Sequence, residues 1–350
     1  MDEKQKVSNV AAEMRAIIYG GVAAVLAAAL MYAATRIENQ ALSSLSAYGF
    51  VTAIGVALFA FVVFIMGYDY SKSGRIPTNT LFLKLKRVLT VFALAFAHAA
   101  ITFLLIVVMT TIATQSISSI ALTPVLMISV TATLAAVVTY VVYIQAASME
   151  VDDLAGLMTV FIISGSLASM VTAGDTHWWQ HHLSALGTGN TISSYAFNLT
   201  MVISGVIVAT LADMIVDVFA SIKEVSQKES HIRANIIRIA FVVAGVAMIG
   251  VGLIPVSENR LIHDICANTV TLSLGAMVIL LPWLAPIMSR TFIVFSYLML
   301  AIVVGAYVMR ATYGISILTL ELIGATALFT WMILFVRYIL AIYHDTAQTK

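Results

Sequence analysis

Three of the seven histidines in this 350-residue chain, His177, His181 and His182, fall within six positions, beside Asp175, Trp178, Trp179 and Ser184. Imidazole rings exchange protons near neutral pH, bind metals in their neutral form and both donate and accept hydrogen bonds, so chemistry is expected in this segment first. Read as a helix from Thr176 to Leu186, at about 100° per residue, it places His177, His181 and Ser184 on one stripe and Trp179, Leu183 and Leu186 on another. Such a helix would lie in a membrane interface, with indole rings at headgroup depth and imidazoles turned to the bundle or to water. Two histidines four residues apart suit one zinc ion, with a third ligand from His182, Asp175 or the His263-Asp264 pair, His263 being the one carried into the enzyme reading. That ion would sharpen a water for hydrolysis or transfer at the outer leaflet, with Asp264 or Glu258 as base. The spacing lacks the glutamate of a His-Glu-x-x-His pattern. The alternative is a hydrogen-bonding surface in which the same rings meet carbonyls, one another or a bound ligand.

Further polar residues converge on the same end of the chain's hydrophobic runs. Arg260, His263 and Asp264 lie in one short connection, Arg310 in another, and Asn198 and Glu321 about two turns inside their helices. A carboxylate at the depth of Glu321 faces a bundle interior or a cavity, so it is expected to join the histidines or to pair with Arg260 or Arg310. The expected ligand-binding set is therefore His177, His181, His182, Ser184, Asn198, Arg260, His263, Asp264, Arg310 and Glu321. At the opposite end Asp213 and Asp217 share a helix face, either as a cation relay or as a solvated end neutralised by Lys223, Arg233 or Arg238. His98 stands alone in mid-helix and is expected to bond a neighbouring hydroxyl.

The elements that must position these residues are transmembrane helices. With 61% of residues hydrophobic, 10% charged and a mean hydropathy of +1.02, the chain lies far from soluble domains. Apolar runs near 14–36, 49–69, 87–114, 120–147, 154–174, 193–219, 236–256, 266–288, 290–309 and 315–339 predict an all-α, polytopic bundle of about ten spans. The weakest break is Ile287-Met288-Ser289-Arg290, where Pro282 and Pro286 could kink one helix instead of separating two. With both termini cytoplasmic, only Arg36, Arg260 and Arg310 among the basic residues fall outside. The His-rich loop, 175–192, is then extracytoplasmic, and the protein is expected in the cell membrane as a multi-pass chain. Lys4, Lys6 and Arg15 ahead of the first apolar run resemble a secretory signal, but the run is too long and a retained helix is expected. The acidic turn Met149–Asp153, where Asp152 or Asp153 can cap a helix, divides a four-helix section, 1–150, from a six-helix section, 151–350.

A net charge of +1 argues against a nucleic-acid partner, the basic stretch from Lys72 to Arg87 reads as a topology determinant, and a single cysteine, Cys266, forms no internal disulfide. No internal repeat or midplane acidic site favours a secondary transporter, although ten helices permit one. Small residues at Ser164, Gly165, Ala168 and Ser169 suit packing within the chain, in a homo-oligomer or against other membrane subunits.

His181-His182-Leu183-Ser184-Ala185-Leu186-Gly187, Phe197-Asn198, and Gly252-Leu253-Ile254-Pro255 followed by His263-Asp264 resemble motifs of a six-helix bacterial membrane domain of unknown function. That domain is related to the DRAM/Sfk/FGF-receptor-activating-protein family. The resemblance covers residues 154–340. It implies a connection with membrane lipid organisation or lipid-anchor remodelling, and it highlights His182, Ser184, Leu186, Gly187, Gly252, Pro255 and His263. The leading expectation is a protein that presents an extracytoplasmic polar pocket to a lipid headgroup or lipid-linked glycan, with Arg260 or Arg310 meeting a phosphate.

Overall fold

The computed structural model of the chain describes residues 3–36, 45–72, 81–116, 123–149, 153–221 and 227–348. The side chains of Asp152, Asp153, Asp213 and Asp217 and the basic stretch 72–87 lie outside the described residues. Among the described residues ten α-helices follow one another: α1 (Glu3–Arg36), α2 (Leu45–Lys72), α3 (Leu81–Ser116), α4 (Pro124–Ser148), α5 (Asp153–Val171), α6 (Ile192–Ser221), α7 (Gln227–Leu253), α8 (Arg260–Leu284), α9 (Arg290–Tyr313) and α10 (Ile317–Gln348). Two short 3-10 turns, Trp178–Gln180 and Leu183–Gly187, occupy the α5–α6 connection, and no strand occurs among the described residues. Nine of the described helices are long and apolar enough to cross a membrane; in α5 the apolar stretch is the shorter Gly156–Val171. The protein is thus an all-α, multi-pass membrane bundle. Helices close every backbone hydrogen bond within themselves, which is what a segment in hydrocarbon requires.

Local chemistry ends these helices where the sequence supplies caps. Thr123 accepts the Leu126 amide at 3.3 Å ahead of Pro124, and Asn259 accepts the Ile262 amide at 3.1 Å, which starts α8 six residues before its apolar run. Pro282 is accommodated inside α8, and the chain then turns at Ala285–Ser289. Ser289 caps α9 by accepting the Phe292 amide at 3.2 Å, so the prolines separate two helices and do not kink one. At the far end of α9, Gly314 takes a left-handed φ of 66° that a side chain would strain.

The chain forms two compact units, Met1–Val151 and Asp152–Lys350. In the first, α4 packs against both α1 and α2, and α3 packs on α2. Alanines on α1 (Ala16, Ala23, Ala27) are fully buried, and a Cβ at Gly20 would meet the Ala136 carbonyl at 3.0 Å, so small residues set the α1–α4 approach. His98 Nδ1 donates to the Leu94 carbonyl at 2.9 Å, with its ring 4.5 Å from Phe64. The expected hydroxyl partner is thus replaced by its own helix's backbone and an aromatic face.

In the second unit α6 and α7 make the closest pair. A Cβ on Gly205 would lie 2.5 Å from the Gly245 carbonyl oxygen, and the reverse distance is also 2.5 Å, so neither position admits a side chain. The core gathers around α10, which touches α5, α6, α8 and α9. Trp331 and Phe335 are fully buried there, stacked at 5.1 Å, and Trp331 Nε1 donates to Ser296 Oγ of α9 at 2.9 Å. Large aliphatic residues remain exposed along the helices, among them Val246, Leu272, Val294 and Val304. Such surface would be costly in water and is the expected face toward lipid.

Candidate functional site

The α5–α6 connection is held by its own polar groups before it meets any other helix. Asp175 Oδ1 accepts the His177 amide at 2.8 Å, closing a turn that opens the first 3-10 segment. His181 (φ −99°, ψ −115°) and the extended His182 then interrupt the helical path, so the helix expected over Thr176–Leu186 is two 3-10 turns with a break between them. The two imidazoles still meet one group: His177 Nδ1 is 3.9 Å and His181 Nε2 3.8 Å from the Asp175 carboxylate. All three side chains are exposed, and of the companions the sequence offered for His177 and His181 it is Asp175 that both rings approach.

The second 3-10 turn is fixed from two sides. The Leu183 amide donates to Glu321 Oε2, and Ser184 Oγ donates to Glu321 Oε1 at 3.4 Å. The amides at the start of a helical turn have no partner within it, and a carboxylate from α10 supplies one. At the other end Asn198 Nδ2 donates to the Gly187 carbonyl at 3.0 Å, and a Cβ at Gly187 would meet Asn198 Oδ1 at 2.5 Å. Gly189 follows with φ 79°. Thr191 and Ser194 cap α6 reciprocally, each side-chain oxygen accepting the other's amide at 3.2 and 3.0 Å, and Ser193 Oγ donates to the Ser169 carbonyl of α5 at 2.8 Å. The Thr-x-x-Ser spacing was a readable signal for that cap.

The α7–α8 connection brings a second group of side chains. Gly252 lets α7 approach α6, since a Cβ there would lie 2.5 Å from the Asn198 carbonyl. Two residues on, the Ile254 carbonyl accepts from His263 Nδ1 at 2.8 Å, which locks the ring of a residue only 3% exposed. Arg260 and Asp264, one turn apart at the start of α8, form an exposed pair at 3.6 Å. Asn268 Nδ2 donates to the Asp264 carbonyl at 2.8 Å.

These two connections and α10 converge. His182, half-buried, has its pKa held below the ordinary histidine value by burial, then by the Arg260 charge, by His263 and by His181, with Asp264 pulling the other way. Its Nδ1 is 3.2 Å from Ser184 Oγ. The Glu321 carboxylate in turn feels His263 and Asp264. The cluster therefore consists of His182, Ser184, Arg260, His263, Asp264 and Glu321, drawn from a loop, α8 and α10. Exposed Trp179, Tyr195 and Tyr313 belong to the same end of the unit, where aromatic side chains suit a membrane interface.

Other expected site residues are placed elsewhere. His177 and His181 gather at Asp175, and Glu258 is exposed in the turn after Pro255. Arg310 Nη1 donates to the Ile315 carbonyl, closing the α9–α10 connection, and Glu321 pairs with loop donors in place of the expected Arg260 or Arg310. Asn198 pins the loop from below. Among the described residues no group of three or more His, Cys, Asp or Glu side chains is arranged to hold a metal ion. Compared with protein-family models, curated proteins and solved structures, the chain gives no match.

Proposed function

We propose that the Asp152–Lys350 unit binds a lipid headgroup at the end formed by the α5–α6, α7–α8 and α9–α10 connections. The observation that carries this reading is the convergence of ionisable side chains from two connections and α10, held by a Glu321 carboxylate that anchors Leu183 and Ser184, on a bundle whose sides are apolar. Polar recognition at interfacial depth beside lipid-facing helices fits an amphiphile, whose headgroup meets the cluster while its chains follow the helix surface. The charge asymmetry of the connections supports an extracytoplasmic position for this end. The resemblance of residues 154–340 to a domain related to lipid-organising membrane proteins points the same way.

In this reading Arg260, exposed at the rim, meets the phosphate, while His182, His263 and Ser184 bond the polar remainder of the headgroup. Arg260→Ala is expected to lower the phospholipid retained by detergent-purified protein about tenfold, the loss of one charge-assisted bond, while leaving its melting temperature unchanged. Lipid extraction and mass spectrometry check this, and equal retention by the variant would remove the assignment.

A further inference from the structure

Between Leu183 and Ser194 every hydroxyl but one is used on the backbone. Thr188 Oγ1 donates to the Ala185 carbonyl at 2.7 Å, Ser193 Oγ to the Ser169 carbonyl at 2.8 Å and Ser194 Oγ to the Gly189 carbonyl at 2.6 Å, while Thr191 Oγ1 accepts the Ser194 amide. Ser184 is the exception. Its Oγ meets two side-chain bases, Glu321 Oε1 at 3.4 Å and His182 Nδ1 at 3.2 Å. A hydroxyl has one hydrogen, and at 3.4 Å the carboxylate holds it loosely, so the proton can turn to the imidazole.

The turn around this pair is held at several points. The Ala185 amide donates to the His182 carbonyl at 3.0 Å, which keeps base and hydroxyl in one turn. The Leu183 amide between them is anchored on Glu321 Oε2, and Asn198 Nδ2 holds the Gly187 carbonyl at 3.0 Å. His182 and Ser184 are themselves half-buried, so the pair is fixed in place and still reachable. Burial first, and then the Arg260 charge, keep the His182 pKa below the ordinary histidine value, so near neutral pH the ring is uncharged and able to take a proton.

A serine hydroxyl within hydrogen-bond reach of a neutral imidazole is the pairing that nucleophilic catalysis uses. We infer that Ser184 is a nucleophile for acyl transfer from a carboxylic ester, with His182 Nδ1 as its general base. Ser184 Oγ bonds to the ester carbonyl carbon as its proton passes to His182 Nδ1; the bond from that carbon to the alcohol oxygen breaks, and the alcohol leaves with the proton. Water then adds its hydroxyl to the acyl carbon and its proton to Nδ1, which returns it to Ser184 Oγ as the carboxylic acid departs. That the ester belongs to a glycerolipid rests on the headgroup reading. Glu321, which holds the turn, stands four residues into α10, about 6 Å inside the helix end, and the acyl esters of a phospholipid lie just beneath its phosphate.

The test incubates full-length protein in micelles with an alkyl fluorophosphonate, which loses fluoride to an activated serine, and reads the adduct by intact mass and peptide mapping. One adduct per chain is expected, at Ser184, absent in Ser184→Ala and formed about a hundredfold more slowly in His182→Asn. The wild-type rate should also fall in acid, below pH 6.5, where His182 takes up its proton, and His182→Asn should lack that fall. Melting temperatures establish that the variants are folded. No adduct on folded wild-type protein, an adduct on another residue, or an equal rate in His182→Asn would overturn the nucleophile; lipid retained by that protein would leave headgroup binding standing. Ser184 labelled in a protein that retains no phospholipid would uphold the nucleophile and overturn the headgroup reading.

Discussion

In the Met1–Val151 unit, buried polar side chains close on near neighbours: Thr52 and Thr131 share a hydrogen bond at 2.8 Å between α2 and α4, and His98 turns to the Leu94 carbonyl of its own helix. In the Asp152–Lys350 unit, polar groups also close on one another in the interior, as Ser169 with Ser193 and Trp331 with Ser296 do. At the connection end of that unit the pattern changes. Glu321 takes the Leu183 amide on one carboxylate oxygen and the Ser184 hydroxyl on the other, 138 and 137 positions away, and His263 turns Nδ1 to the Ile254 carbonyl. Both units have exceptions inside, since Thr139 Oγ1 in the first and Ser204 Oγ in the second are buried without a partner. Those are single hydroxyls on helices, whereas the polar side chains at the connection end are several and ionisable. The contrast teaches that a helical membrane bundle can satisfy its polar groups locally, so a concentration of ionisable side chains marks a place where something else is to bind.

The comparison can be broken most forcefully at Glu321. Glu321→Leu leaves the Leu183 amide and the Ser184 hydroxyl without their acceptor, and a destabilisation of about 2–3 kcal/mol is expected from losing bonds to a charged group. Hydrogen exchange should show faster exchange at Leu183, together with a lower melting temperature. Unchanged protection there would mean that the anchor does not hold the turn.

In the first unit the matching experiment should have a smaller effect. Thr52→Val leaves Thr131 without its partner and is expected to cost about 1 kcal/mol, while Thr52→Val combined with Thr131→Val, which removes both hydroxyls, should recover most of it. Thermal unfolding of the single and double variants would show the recovery. A double variant worse than the sum of the singles would make the pair more than a local closure.

The smallest expected effect is a pH dependence at His182. Its folded pKa lies below the ordinary value near 6.5, so below that pH the unfolded chain takes up the proton first and the folded state loses relative stability. The contribution is therefore present above pH 6.5 and is lost as the pH falls through the depressed folded value. His182→Asn should flatten that part of the melting-temperature profile, by an amount that solvent screening keeps small. A profile of the same shape in the variant would show that other groups control it.

The helices were legible in the sequence wherever hydropathy and a cap agreed, as at Thr123-Pro124, Asn259 and Ser289. The α8–α9 separation was harder to read because Pro282 fits within a helix that continues two residues past it. At the candidate site, the sequence pointed to His182, Ser184, His263, Asp264 and Glu321 through their residue types in an otherwise apolar chain, but not to their partners. The stripe of His177, His181 and Ser184 rested on helical spacing, which the backbone at His181 and the extended His182 breaks. Arg310 and Asn198 looked like ligands by charge and depth, and both turn to carbonyls of adjacent connections.

The sequence by itself determined that this protein is a multi-pass helical bundle and where its polar chemistry is concentrated, because composition and apolar run length act locally and need no partner to be recognised. Tertiary structure alone decided that Glu321 would anchor Leu183 and Ser184, 138 and 137 positions away, and that His263 would turn its protonated nitrogen to Ile254. Those outcomes depend on which backbone amides and carbonyls the α5–α6 and α7–α8 connections leave unpaired once the helices have packed. That accounting exists only in the folded chain.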